Sequence, residues 1–309
     1  MVLQPTSSHA FLAVRRSFTR AVNTPPPARK YSSLQSSLKI SSTPAPHSGS
    51  ITVVSLNRPR ARNALSKQLL SELKGVVDGL HREAANGSAG TRALVLASES
   101  DQSFCAGADL KERVTMSESD ISEFLTTLRA TFSSLAALPI PTLSAVSSTA
   151  LGGGLELALS TQFRVFASTA VVGLPETRLA IVPGGGGTYR LPALIGETRA
   201  RDLILTGRKV QGPEAYFFGL CDRLVDVSAE EINTPGAART KVLDAALQMA
   251  RTICEGGPVA VRAAMLAVRD WKLGEQAENA AYEVVLKTED RKEALKTFGE
   301  KRAAVFRGR

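Results

Sequence analysis

Residues 141–167 read PTLSAVSSTALGGGLELALSTQFRVFA, and this stretch decides the fold. Pro141–Ser147 has the composition of a strand. The cluster Gly152–Gly154 opens a helix over Leu155–Ser160, and Phe163–Ala167 is a second strand. A strand, a helix and a strand within 27 residues form a crossover unit, which places parallel strands in one sheet.

The same alternation extends in both directions. Upstream, Ile51–Leu56 is a β-branched strand and Ser66–His81 carries helical spacing through Leu69, Leu70, Leu73, Val76, Val77 and Leu80. Arg92–Ala97 is a short continuous apolar strand, the pattern of a strand covered on both faces. Residues 98–109 read as a loop and Ser119–Ala137 as an amphipathic helix. Downstream, Ala170–Gly173 is strand-like, Thr188–Ile195 and Ala200–Leu205 are helical, and Leu224–Val227 is the last strand. From Ala237 onward the pattern is helical, with Gly256-Gly257-Pro258 ending one helix and starting the next. The predicted class is α/β. Residues 50–235 form its core and 236–309 a helical region.

The two ends of the chain differ in charge. Residues 1–71 contain no acid; Glu72 is the first. Arg15, Arg16, Arg20, Arg29 and Lys30 lie among Ser, Thr and Ala, the composition of an organelle transit peptide. Arg29-Lys30-Tyr31-Ser32 resembles a mitochondrial processing site, so 1–31 is read as a transit peptide and 32–49 as a Ser/Pro-rich linker. The expected location is the mitochondrial matrix. Without the five cations of the leader, the net charge of +9 falls to +4, which argues against a dominant nucleic-acid role. No apolar run reaches the ~20 residues that span a bilayer, so no membrane partner is expected.

Composition also narrows the chemistry. Cys105, Cys221 and Cys254 have no metal-ligand spacing and suit a reducing compartment. Of three histidines, His9 and His47 fall before the core, leaving His81 on a polar stretch. A Ser-His-Asp or Cys-His site needs a placed imidazole, and a His-rich metal site needs several. Carboxylates and backbone amides remain to do the work. No metal is expected, and no cofactor.

Three segments suit that chemistry. Ser103–Glu112 (SFCAGADLKE) runs from small residues into a helix, where free amides can meet negative charge. Ala150–Ala158 (ALGGGLELA) places three glycines at a helix start, although each Gly inside a helix costs about 1 kcal/mol against Ala. Glu156 follows among leucines, where a carboxylate needs a partner or a use. Val172–Glu176 (VGLPE) leads Glu176 towards a second cluster, Pro183–Gly187. Taken singly, Glu156 reads as a first-turn helix cap and Glu176 as a surface acid paired with Arg178. Together, near amide turns, they read as two proton carriers beside donors for a developing oxyanion.

These segments resemble the crotonase (enoyl-CoA hydratase/isomerase) superfamily over roughly Ile51 to the C-terminus. The resemblance rests on NRPRARNALS (57–66), FCAGADLKER (104–113), LGGGLELAL (151–159), GLPETRLAIVPGGGGTYRLP (173–192) and EDRKEALKTFGEKR (289–302). FCAGADLKER and LAIVPGGGGT look most like the 3-methylglutaconyl-CoA hydratase branch. The resemblance implies a spiral of ββα units with a helical trimerisation tail, assembled as a trimer or a hexamer of two trimers. It implies an enoyl-CoA hydratase acting on a short-chain or 3-methylglutaconyl thioester, with coenzyme A as part of the substrate. It places the oxyanion hole at the amides of Ala108 and Gly153. Glu176 would supply the proton to the α-carbon, and Glu156 would orient and deprotonate the water. Arg58, Ala61, Ala106, Asp109, Leu110 and Lys111 fall where coenzyme A passes, and Phe298 and Lys301 match tail positions that contact it from a neighbouring subunit.

Several positions depart from the family pattern. Ser147-Ser148 replaces an Asn/Asp-Gly turn, Gln162 an Asp, Tyr189 a Gln and Ala294 a Gly. None removes a catalytic group, but they bear on pocket shape. An isomerase or a CoA-ester hydrolase on the same scaffold is the nearest alternative. RNA binding through Arg62, Lys67 and Lys74, a helix more lysine-rich in RNA-binding relatives, is a minor alternative. Cys105, with no nearby His, is read as packing.

Overall fold

A computed structural model describes residues 36–86 and 90–309. The expected transit peptide lies outside the described residues. Ten strands run along them: β1 (Leu38–Pro44), β2 (Ser50–Leu56), β3 (Thr91–Ser98), β4 (Ser103–Cys105), β5 (Thr142–Val146), β6 (Thr149–Leu151), β7 (Phe163–Ala167), β8 (Val171–Gly173), β9 (Lys209–Gln211) and β10 (Arg223–Val225). They form two sheets. The larger has the order β1-β2-β3-β5-β7-β10, and the smaller β4-β6-β8-β9. Apart from the antiparallel pairs β1/β2 and β8/β9, neighbouring strands are parallel.

The order follows a repeat. In the pairs β3/β4, β5/β6 and β7/β8, the first strand joins the large sheet and the second joins the small one. A helix comes after each pair: Glu118–Ala136 (after the short Leu110–Arg113), Gly153–Leu159 and Gly187–Ile195. The chain thus advances by ββα units, as the resemblance implied. β3 lies between β2 and β5, and every residue of it after Thr91 is buried. That explains its unbroken apolar run.

Helices cover the large sheet. Ser66 caps the helix Lys67–Ala85 by accepting from the Leu69 amide, and Leu69, Leu70, Leu73, Val77 and Leu80 make its buried stripe. The helix Ala237–Cys254 packs across β3, β5 and β7. Arg92 of β3 is buried beneath it, and its guanidinium donates to the carbonyls of Ser48, Cys254 and Gly256. A buried cation surrounded by carbonyl acceptors ties the helical region to the sheet.

The structure corrects the linker. Within 32–49, Leu38–Pro44 is β1, an edge strand in register with β2 from Leu38↔Leu56 to Pro44↔Ser50. Only Leu38 is buried along it. An edge strand with polar residues on both faces carries no alternation, so its composition resembles that of a linker. β4, β6 and β9 have three residues each, too few for a period to register in the sequence.

One buried side-chain amide joins the turn after β2 to the end of β3 and to β4. Asn63 is fully buried at φ +54°. Its Nδ2 donates to Ser98 Oγ, Ser103 O and Phe104 O at 2.8, 3.2 and 3.0 Å, while Oδ1 accepts from the Arg58 amide at 2.7 Å. Removing that side chain orphans several buried polar groups at once. Asn63→Ala is expected to lower the unfolding free energy by about 3 kcal/mol in urea titration, and a parent-like midpoint would contradict this accounting.

Candidate active site

The parallel pairing of β4 with β6 sets residues 106–109 beside residues 151–153. The approach is close. A Cβ on Gly107 (φ +93°) would lie 2.8 Å from Leu151 O, and one on Gly154 would lie 2.1 Å from Cys105 O. Only glycine fits at either position.

Leu65 orients Ala108. The Leu65 amide donates to Gly107 O at 2.7 Å, and its carbonyl accepts from the Asp109 amide at 3.1 Å. In a parallel bridge these bonds use the groups flanking Ala108, so its own N–H points the other way. That is the side of Gly153, the first residue of its helix, whose amide has no intrahelical acceptor. Neither amide donates to another main-chain group among the described residues. The two expected oxyanion donors are therefore neighbours with their hydrogen bonds uncommitted.

Glu156 projects from the first turn of the helix Gly153–Leu159 and is only 2% exposed. It does not cap the helix. Its Oε1 accepts from the amides of Gly185 and Gly187, both at 2.8 Å. The second glycine cluster thus serves the carboxylate directly. Burial pushes the Glu156 carboxyl up, opposed by these two amides and then by the charges of Arg190 and Arg129.

Glu176 begins a short 3-10 turn, Glu176–Leu179, after β8. It is 8% exposed and does not pair with Arg178, whose Nε donates to Thr206 O at 2.7 Å. Its Oε1 lies 3.0 Å from where a Cβ on Gly152 would stand, and its buried Oε2 has no partner among the described residues. Burial, and then the negative charge of Glu156, push it up to about 7. The two acids, 20 positions apart in sequence, thus flank the first glycine turn within electrostatic reach. A group that titrates near neutrality is able both to give and to take a proton.

The positions expected to meet coenzyme A divide in two. Arg58, Ala61, Ala106 and Asp109 cluster: the Arg58 guanidinium bridges Asp109 at 3.0 Å and the Ala64 carbonyl, Arg58 O accepts from the Ala61 amide, and the Ala106 amide bonds Arg62 O. Leu110 and Lys111 follow, exposed, on the helix that Asp109 caps. Phe298 and Lys301 sit on the last helix and its cap, exposed, with no hydrogen bond, ion pair or ring contact to that cluster.

Other readings are also located. Burial pushes the Cys105 thiol up to about 12, which removes it as a thiolate nucleophile. Lys67 pairs with Asp120 and Lys74 with Asp78, which compensates two of the cations considered for RNA. Sequence reasoning missed Asn63 and Leu65 as scaffolding; the signal for both lay inside NRPRARNALS (57–66), quoted above only as a match.

The enoyl-CoA hydratase/isomerase family model matches residues 47–309. The chain belongs to that family. An enoyl-CoA isomerase/hydratase of Zymoseptoria tritici is 66% identical, over 91% of this chain and 92% of that protein. A mitochondrial methylglutaconyl-CoA hydratase of Pyricularia oryzae is 52% identical, over 88% and 87%. The crystal structure of an enoyl-CoA hydratase from Bacillus anthracis superposes with a TM-score of 0.78 at 39% identity, covering 88% of this chain and all of that one. The protein is an enzyme of the hydro-lyase class.

The state of Glu176 has a consequence for stability. Its folded value, about 7, lies above the ordinary 4.5. As pH rises from 4.5 to 7, the unfolded chain releases this proton while the fold keeps it, so stability falls, and above 7 the full penalty is present. Glutamine cannot ionise. Glu176→Gln is expected to stabilise the protein at pH 8 by up to about 3 kcal/mol, shrinking below about 1 kcal/mol at pH 4.5. Denaturant melts at the two pH values check this; a margin independent of pH would contradict it.

Proposed function

We propose that this enzyme adds water reversibly across the double bond of a 2-enoyl-CoA thioester. The observation that carries this is the pair of buried carboxylates, one locked by two amides and the other poised near neutrality, beside two uncommitted main-chain donors. The amides of Ala108 and Gly153 receive the thioester oxygen and stabilise the enolate that forms as water attacks. Glu156 orients the water and takes its proton, and Glu176 delivers a proton to the α-carbon. An isomerase shuttles one proton within its substrate and needs one carboxylate. Two positioned acids suit addition of water. No cofactor takes part beyond the coenzyme A of the substrate, held along Arg58, Ala61, Ala106, Asp109, Leu110 and Lys111.

The favoured substrate is 3-methylglutaconyl-CoA, in leucine catabolism, with short-chain enoyl-CoA as the broader class. FCAGADLKER and the name of the Pyricularia relative support it. The mitochondrial matrix is the proposed location, supported by the acid-free leader composition and by that relative's mitochondrial name. We also propose assembly as a trimer or a pair of trimers. The C-terminal helices leave Leu266, Val268, Trp271, Tyr282 and Val284 exposed, an apolar surface that further copies would cover, bringing Phe298 and Lys301 to a neighbour's coenzyme A.

Hydration takes up no net proton, and each turnover passes one proton in and one out of the acid pair. The active form is therefore the pair carrying a single proton, and forward and reverse kcat/KM share one bell-shaped pH profile. The alkaline limb is expected near pH 7, where Glu176 loses its proton. A profile flat from pH 6 to 9 would remove the shared-proton reading.

The deciding experiment incubates crotonyl-, tiglyl- and 3-methylglutaconyl-CoA with the protein. Loss of enoyl absorbance without thiol release marks hydration; free thiol marks hydrolysis and rejects it. Glu156→Gln and Glu176→Gln are each expected to lower kcat by about 10³-fold or more with folding intact. Near-parent turnover in either variant rejects the two-acid mechanism.

A further inference from the structure

The glycine turn that holds Glu156 is itself held from its outer side. Arg129, on the helix Glu118–Ala136, donates from Nε to the Gly184 carbonyl at 2.8 Å. Arg190 donates from Nη1 to the Gly185 carbonyl at 2.8 Å and reaches Ser133 Oγ from Nη2 at 3.4 Å. The Gly184 carbonyl and the Gly185 amide belong to one planar trans peptide, so they point in opposite directions. That amide is one of the two that bind Glu156 Oε1. A single peptide unit thus carries a guanidinium on its oxygen and a carboxylate on its nitrogen.

We propose that Arg129 is a positioning residue for the reaction: through the Gly184–Gly185 peptide it aims and polarises the amide that fixes Glu156 Oε1, so that the other oxygen meets the water. The inference rests on the reading of Glu156 as the base.

A charged donor on the carbonyl strengthens the N–H at the other end of the same peptide, as bonds in a chain polarise one another. Arg129 is exposed, so water is able to satisfy the Gly184 carbonyl in its absence. What water does not supply is a fixed positive charge. The turn leaves no room for slack: a Cβ on Gly185 would come 2.7 Å from Glu156 Oε2 and 3.1 Å from the Phe132 ring. Three charged groups face Glu156 from separate elements. Arg190 and Arg129 favour its ionisation, and its charge in turn opposes the ionisation of Glu176. Of the two arginines, Arg129 alone grips the peptide whose amide binds the carboxylate.

The test compares Arg129→Gln and Arg129→Lys in the whole enzyme, using the panel substrate turned over fastest. Glutamine retains a donor for Gly184 but no charge; lysine retains the charge. Arg129→Gln is expected to lower kcat about tenfold with KM changed less than about threefold. The acid limb of its pH profile moves up by about half a pH unit, because losing a nearby cation makes Glu156 easier to protonate. Arg129→Lys restores most of the turnover and the parent limb. A glutamine variant with parent kcat and parent acid limb overturns the proposal, and so does a lysine variant as impaired as the glutamine one. Glu156→Gln, assayed alongside, separates the two readings. If it is inactive while Arg129→Gln is normal, only the role of Arg129 fails; if Glu156→Gln is active, the base assignment itself has failed.

Discussion

On folding, the Glu156 carboxylate loses its water and must find other donors. Two main-chain amides, from Gly185 and Gly187, take that place at 2.8 Å each. An uncompensated buried carboxylate is costly enough to protonate or to unfold its surroundings. The path of the chain from β7 through β8 to the second glycine turn is the path that brings those amides back over the helix Gly153–Leu159. The main chain there comes within van der Waals distance of the carboxylate at Gly185 and Gly187 and of the Phe132 ring at Gly185. It takes a left-handed φ of +109° at Gly186, so side chains at these positions would collide or strain the turn.

The first glycine turn answers a different demand. There the amides of Ala108 and Gly153 remain uncommitted, and the surroundings keep them so. Leu65 engages the groups on either side of Ala108, and the helix start leaves Gly153 without an acceptor. Asn63, buried behind this turn, holds the ends of β3 and β4 in place. One turn thus spends its amides on a fixed anion of the protein, while the other reserves its amides for a charge that appears only during reaction. Preorganised donors of this kind need no rearrangement at the moment of reaction.

Much of the site was legible in the sequence. A glutamate flanked by leucines just after three glycines signalled both a buried acid and an amide turn, and Glu176 before the second cluster repeated the signal. The use of each turn was not legible. Amides look alike in a sequence, and only coordinates show that those of Gly185 and Gly187 face Glu156 whereas that of Gly153, beside Ala108, has no main-chain acceptor among the described residues. Arg178 was adjacent enough to Glu176 to suggest a pair, but its guanidinium turns to Thr206 instead. Short strands escaped for lack of a period, and β1 escaped because its polarity is that of an exposed edge.

By itself, the sequence determined the α/β class, the ββα alternation around strands such as Arg92–Ala97, the helical C-terminal region and the two acids that distinguish the chain chemically. Those properties are local: periodicity, composition and neighbouring residues carry them. Tertiary structure alone decided that residues 156 and 176 share a field, that burial holds one of them near neutrality, and that an arginine on a distant helix grips the peptide behind the other. Such relations depend on distances between segments far apart in the chain and on the removal of water between them, and neither quantity is written in the order of residues.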